Sequence, residues 1–132
     1  MAELNFDYVL EMFECIESRQ TKVAFFKLYS KLVDSEKYFV SSVSKGNFKA
    51  IHLSTRAEAR PFSDSEKGAE LALKCSKNHL IWWFRLPAFK AGFIDFDEVV
   101  DAFDTTTNGK HELVVKLADV ADVDHLLDFI GL

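Results

Sequence analysis

The sequence predicts an α+β fold, in which an antiparallel meander and a central strand are packed by three to four amphipathic helices. Two observations lead to this prediction: an unbroken apolar run at residues 80–84 is typical of a buried strand, and several segments repeat apolar residues at helical spacing. Because helices and strands alternate in the second half of the chain, an α/β fold with a mixed sheet is the alternative. With 132 residues and 48% hydrophobic content, the chain is expected to form a single globular domain over residues 1–132.

The central strand is predicted at residues 80–86, which read Leu-Ile-Trp-Trp-Phe-Arg-Leu. Pro87 closes the strand, because proline has no N–H to donate to a neighbouring strand. With the two-residue period of a strand, Ile81, Trp83 and Arg85 lie on one side and the other four residues lie on the opposite side. Both sides carry large apolar groups, so we expect other elements to cover both faces.

The first third of the chain contains one clear helix and one ambiguous segment. Residues 4–18 have apolar residues at i, i+3, i+4 and i+7, which predicts an amphipathic helix: Val9, Met12, Phe13 and Ile16. Residues 21–33 fit either a helix or a strand, and the run Val-Ala-Phe-Phe at 23–26 favours the strand that we predict. Residues 38–43 and 48–53 are predicted as two strands about a turn at 44–47, which would complete a meander over residues 22–54.

Three further elements are predicted in the second half. Ser63 and Glu66 match a capping box, which predicts a helix from about residue 63 to residue 77 with a small-residue face at 68, 71, 72 and 75. Phe96, Val99, Val100 and Phe103 have the spacing of another amphipathic helix, and residues 111–118 follow as a strand. A closing helix is expected around residues 123–130, with Asp119 or Asp122 as its N-cap.

The charge is distributed unevenly along the chain. The net charge is −5, but residues 1–18 hold five acids and no Lys or Arg, residues 19–90 hold 14 basic and 6 acidic residues, and residues 91–132 hold 2 basic and 10 acidic residues. Such asymmetry favours surfaces of opposite sign. We therefore expect a non-catalytic intracellular binding or regulatory domain that contacts protein partners through charge-segregated surfaces.

Two sets of charged residues are candidate binding sites. A basic set lies at and after the predicted hairpin, near aromatic residues of the same strands, and indicates binding of nucleic acid or of an acidic partner: Lys45, Lys49, Arg56 and Arg60. Nucleic-acid binding by region 45–60 is the alternative function. An acidic set on the helix after residue 95 indicates binding of a basic partner: Asp97, Glu98, Asp101 and Asp104.

An enzyme is the third possibility, because no catalytic or cofactor motif is present and a site could arise only from scattered His and carboxylate residues that converge in the fold. No cofactor, metal site or catalytic residue is predicted. The two cysteines, Cys15 and Cys75, lack metal-ligand spacing and suit reduced thiols of a cytoplasmic protein. No signal peptide or membrane span is expected, and the oligomeric state stays open.

Overall fold

The computed structural model describes residues 2–42, 50–55, 68–108 and 111–132 of the chain. The helices in these ranges are α1 (Phe6–Glu14), α2 (Arg19–Asp34), α3 (Leu86–Lys90), α4 (Phe96–Ala102) and α5 (Val120–Ile130). The strands are β1 (Ala2–Glu3), β2 (Phe39–Ser41), β3 (Ile51–Ser54), β4 (Leu71–Cys75), β5 (Leu80–Phe84), β6 (Thr106–Thr107) and β7 (Leu113–Leu117). No helix within these ranges combines the length and the apolar character that a membrane crossing requires.

The strands form one sheet in the order β1-β2-β3-β4-β5-β7-β6. Each neighbouring pair is antiparallel except β1 with β2. The α+β prediction is therefore confirmed, and in the described residues the parallel pairing on which the α/β alternative depends is confined to β1 and β2. Strand β5, predicted as the central strand, lies inside the sheet between β4 and β7.

One face of the sheet, called here the core face, packs against the helices. Strand register places twelve buried side chains on the core face: Val40, Ile51, Leu53, Leu71, Leu73, Cys75, Leu80, Trp82, Phe84, Leu113, Val115 and Leu117. Helices α2 and α5 contact one another and belong to the same hydrophobic cluster through residues such as Leu28 and Leu126. Full burial of an aliphatic or aromatic side chain stabilises the fold by about 1.5–3 kcal/mol, so this face carries most of the apolar stabilisation.

Local signals at the helix ends agree with the predicted first and last helices. The Asn5 side chain accepts a hydrogen bond from the Tyr8 backbone N–H and begins α1. The Asp119 carboxylate accepts one from the Asp122 N–H and begins α5, and Gly131, in the left-handed conformation (φ 80°), follows Ile130 as the C-cap. Both helix predictions are confirmed, and Asp119 is the N-cap.

Residues 21–33 form helix α2, so the predicted strand is wrong. The Ser18 side chain caps this helix, and one helical face, including Phe25 and Leu28, is buried. The aromatic and β-branched residues that favoured a strand are partly outside the core: Val23 is 49% exposed and Phe26 is 60% exposed. The three-stranded meander is therefore reduced to β2 and β3, which pair antiparallel as predicted; their connection at residues 43–49 lies outside the described residues.

Residues 71–75 form strand β4, so the predicted helix from about 63 to 77 is wrong in this part, and its capping box lies outside the described residues. The residues at 71, 72 and 75 fit a helical period, whereas the apolar residues at 71, 73 and 75 fit the two-residue period of a strand. Pairing with β3 on one side and β5 on the other satisfies the backbone of β4 and buries its side chains on both faces, except that Lys74 is half-buried.

Candidate functional site

The structure describes one of the two predicted sets of binding residues. The basic set, Lys45, Lys49, Arg56 and Arg60, lies outside the described residues. The acidic set lies within them, and all four side chains, Asp97, Glu98, Asp101 and Asp104, are exposed. The acidic set, with the helix that carries it, therefore forms a surface that the structure describes, called here the α4 surface.

Helix α4 is capped and short. The Asp95 side chain accepts a hydrogen bond from the Glu98 N–H at 3.1 Å, and Asp97 and Glu98 lie in the first turn, where the helix dipole favours negative charge. The helix ends at Ala102 because Phe103 is extended (φ −134°, ψ 154°), so Asp104 lies beyond the helix and not on it as predicted. Asp101, in the last turn, gains nothing from the dipole.

The apolar side of α4 differs from the prediction of four buried residues. Val99 is fully buried, whereas Phe96 is 38% exposed and Val100 is 44% exposed. Phe103 packs against Phe84 and Phe129, with ring centroids 5.8 Å and 5.2 Å apart. The α4 surface thus combines exposed carboxylates with exposed apolar groups.

Contacts with α5 hold the end of α4 in place. The His125 Nε2 atom lies 2.7 Å from the Ala102 carbonyl oxygen, and the His125 ring lies 4.6 Å from the ring of Phe103. A carbonyl at the C-terminus of a helix has no partner within the helix, so an imidazole N–H bonded there stabilises the end of α4. The α4 surface is consequently presented on a fixed element.

The second face of the sheet is organised in three rows that cross the strands. Its side chains lie opposite the core face, and strand register defines the rows. The charged row is Ser54, Glu70, Arg85 and Glu112, and the tryptophan row is Ser41, His52, Ala72, Trp83 and Val114. The lysine row is Lys74, Ile81 and Lys116. Trp83 and Ile81 are only half-buried, so the expectation that both faces of β5 are fully covered is wrong for this face.

The charged row is a buried polar network. The Arg85 Nε atom lies 3.0 Å from Glu112 Oε2, and Arg85 Nη1 donates to the Ala69 carbonyl oxygen at 2.9 Å. The Asn108 side chain donates to Glu112 Oε1 at 3.0 Å. Glu70 is fully buried, and its carboxylate accepts hydrogen bonds from two hydroxyls, those of Ser54 and Thr55. Charges so buried are stable only while they keep these partners.

The tryptophan row contains a histidine that stays neutral. Burial first, and the positive charge of Arg85 second, lower the pKa of His52 from 6.5 to about 4. The uncharged imidazole therefore lies in the middle of the second face at neutral pH.

The lysine row lies beside a cleft of about 440 Å³ between α1 and the β4–β5 hairpin. The cleft is lined by residues that include Glu11, Cys15, Lys74 and Cys75. Burial raises the pKa of the Cys15 thiol, although Lys74 opposes this effect, and burial raises the pKa of Cys75 to about 12. Both thiols are thus protonated at neutral pH and are poor nucleophiles.

Sequence reasoning missed the charged row and the exposed apolar residues of α4. The period of the strand correctly predicts that Arg85 lies on the same side as Ile81 and Trp83, but its partner Glu112 lies 27 positions away in the sequence. The sequence did contain one signal: a charged residue continues the alternation of each strand on its half-buried side. This signal does not identify the partner of the charge, because strand register is set by the whole sheet.

Compared with protein-family models, curated proteins and solved structures, the chain shows no significant match.

Proposed function

We propose that the chain is a non-catalytic protein-binding domain of the cytoplasm whose α4 surface binds a basic protein partner. One observation supports the proposal above others: the four predicted carboxylates are exposed around a helix that also exposes Phe96 and Val100. An acidic helix that only faces water does not need exposed apolar side chains, whereas a protein interface does need them.

The two kinds of group have different tasks in such an interface. Phe96 and Val100 are one turn apart, and Asp97 and Asp101 each follow one of them by a single position, so the apolar pair lies beside a carboxylate pair on the helix surface. The carboxylates attract a basic partner and raise the association rate. The aromatic ring supplies most of the binding energy once it is desolvated.

Peptide selection against the folded protein tests this proposal. We expect peptides enriched from a random library to be rich in Lys and Arg and to contain an apolar anchor. Phe96→Ser should weaken their binding at least about tenfold, because an interface anchor is lost. The double variant Asp97→Lys/Asp101→Lys should chiefly slow association and reduce its dependence on salt. Isothermal titration calorimetry and stopped-flow fluorescence measure the two effects.

Asp128→Lys is the matched control, because Asp128 is an exposed acid on α5. Its affinity for the selected peptides should equal that of the wild type. Enriched peptides that bind the Phe96 and Asp97/Asp101 variants as tightly as the wild type would contradict the α4 surface as the binding site.

A second candidate function is binding of single-stranded nucleic acid by the lysine row. Lys74 and Lys116 are opposite Ile81 on the two neighbouring strands, which separates their Cα atoms by about 10 Å, two strand spacings. Trp83, half-buried in the next row, offers an aromatic surface on the same face. Cations that follow phosphates beside a ring that stacks a base are the requirements of such a site.

Fluorescence anisotropy of labelled single-stranded RNA and DNA tests the second candidate. We expect Lys74→Glu/Lys116→Glu to abolish binding at low salt, whereas Lys90→Glu, at an exposed position on α3, should leave it unchanged. Neutral variants at 74 and 116 should reduce the slope of log affinity against log salt by about 1.4, since each lost phosphate contact on a single strand accounts for about 0.7.

Charge reversal of Lys45, Lys49, Arg56 and Arg60 tests the sequence-based site separately. Loss of binding only in this variant would place the site at region 45–60 and not at the lysine row. Absence of binding at low salt would contradict both sites.

A further inference from the structure

Helices α1 and α2 expose a continuous apolar surface that none of the sites above includes. Large apolar side chains are exposed on both helices: Phe6 (74%), Leu10 (52%), Val23 (49%) and Phe26 (60%). On α1, Phe6, Leu10 and the half-buried Phe13 follow one another at i, i+4 and i+7, so they share one helix face. The Phe13 ring lies 4.9 Å from the Phe26 ring and joins the two helices into one surface, called here the α1–α2 surface.

Exposed apolar residues of this size and number mark an interaction site. Single apolar residues on a surface are common, whereas a contiguous patch of aromatic rings is rare on a monomer and indicates a surface that becomes covered. Aromatic residues are also those that contribute most to binding at interfaces. Phe6 and Leu10 are not part of the core, because Val9 and Met12, on the adjacent side of α1, are the buried residues of that helix.

Charges of opposite sign flank the α1–α2 surface on its two sides. Helical spacing places an acidic rim on α1 beyond Leu10: Asp7, Glu11 and Glu14. A basic rim lies on α2 beyond Val23 and is formed by Lys27 and Lys31, whereas Arg19 lies one turn before Val23 on the same face as Val23 and Phe26. Lys27 also forms an ion pair with Asp124 of α5, and Lys22 lies over the Phe13 ring at 5.8 Å.

We propose that the α1–α2 surface is the interface of a two-fold symmetric homodimer. A two-fold axis that lies in the interface and runs between the two rims applies the same surface to itself, so the acidic rim of one copy faces the basic rim of the other, and the reverse pairing occurs on the opposite side of the axis. Apolar rings meet at the centre and opposite charges meet at both edges. A partner of uniform charge would match one rim and be repelled by the other, which favours a second copy of this chain as the occupant.

Sedimentation velocity over a range of protein concentrations tests the dimer. We expect a reversible dimer in the wild type and at least a tenfold higher dissociation constant in Phe26→Ser and in Leu10→Ser, both of which change exposed side chains and should leave the circular dichroism spectrum unchanged. Asp97→Lys/Asp101→Lys on α4 is the matched control and should dimerise like the wild type, which separates this proposal from the α4 surface.

A charge-swap experiment tests the two-fold arrangement itself. Asp7→Lys/Glu14→Lys makes both rims basic and Lys27→Glu/Lys31→Glu makes both rims acidic, so each variant alone should be monomeric. An equimolar mixture should form a heterodimer, because both edge pairings are then attractive. A wild type that is monomeric at all concentrations, a dimer that persists in every variant, or a mixture that stays monomeric would each overturn the proposal.

Discussion

Replacement of Arg85 by alanine is expected to lower the free energy of unfolding by about 3–5 kcal/mol, the usual cost of leaving one partner of a buried ion pair alone. The side chains of Arg85 and Glu112 are only 13% and 8% exposed. Without the guanidinium, the Glu112 carboxylate remains buried with the Asn108 amide as its side-chain donor among the described residues, and the Ala69 carbonyl oxygen loses its bond from Arg85. Urea denaturation followed by tryptophan fluorescence measures the loss.

A double variant distinguishes the ion pair from simple loss of packing. In Arg85→Met/Glu112→Leu neither charge remains, so we expect the double variant to recover at least half of the stability that Arg85→Ala loses. Lys90→Ala, which removes an exposed cation of α3, should change stability by less than about 0.5 kcal/mol. A double variant that is no more stable than Arg85→Ala would show that the buried charge of Glu112 is not the cause.

Acid is expected to destabilise the protein through His52 by as much as about 3 kcal/mol between pH 6.5 and pH 4. Burial first, and the Arg85 charge second, lower the pKa of His52 from 6.5 to about 4 in the folded protein. Between these two pKa values, His52 is protonated in the unfolded chain and neutral in the folded chain. Unfolding therefore takes up a proton, and acid favours the unfolded state. The contribution of the neutral His52 to the free energy of unfolding is complete above pH 6.5 and is lost as the pH falls to about 4.

Two measurements isolate the His52 contribution from that of the carboxylates, which titrate in part of the same range. When the pH falls from 7 to 4, the wild type should lose about 3 kcal/mol more stability than His52→Gln. An NMR titration of the His52 imidazole should give a midpoint near pH 4. A midpoint near 6.5 would contradict the burial that the structure assigns to this ring.

The predicted elements that the structure confirms are those whose sequence pattern fits only one kind of secondary structure. The apolar run at 80–84 is too short and too rich in aromatic residues for a helix, and it forms β5. The spacing of Val9, Met12 and Ile16 fits a helix only, as do the apolar residues of α5, and in both helices a polar residue is the N-cap. Local sequence is sufficient in such segments.

The exposure of the acidic residues on α4 also follows from the sequence, since four carboxylates so close together are seldom buried. The apolar part of the same surface does not follow from it. Phe96 and Val100 have the spacing of a buried face, yet α4 is only 7 residues long and covers the core with Val99 alone. Which apolar residues of a short helix are buried depends on where the helix lies on the sheet.

Residues 21–33 and 71–75 show why the rest of the fold could not be predicted. In both segments the apolar residues fit a helix and a strand, so contacts distant in sequence decide between them. Pairing with β3 and β5 makes 71–75 a strand, whereas packing on α5 and the core makes 21–33 a helix.

The candidate surfaces also depend on contacts between residues that are distant in the sequence. By itself the sequence determined the fold class, the first and last helices, the central strand and the uneven distribution of charge. Only the tertiary structure decided that Arg85 meets Glu112, that His52 is half-buried near the charge of Arg85, and that Phe6, Leu10 and Phe26 are exposed together. The physical reason is that register and helix docking depend on the burial of the whole core, which no short stretch of sequence contains.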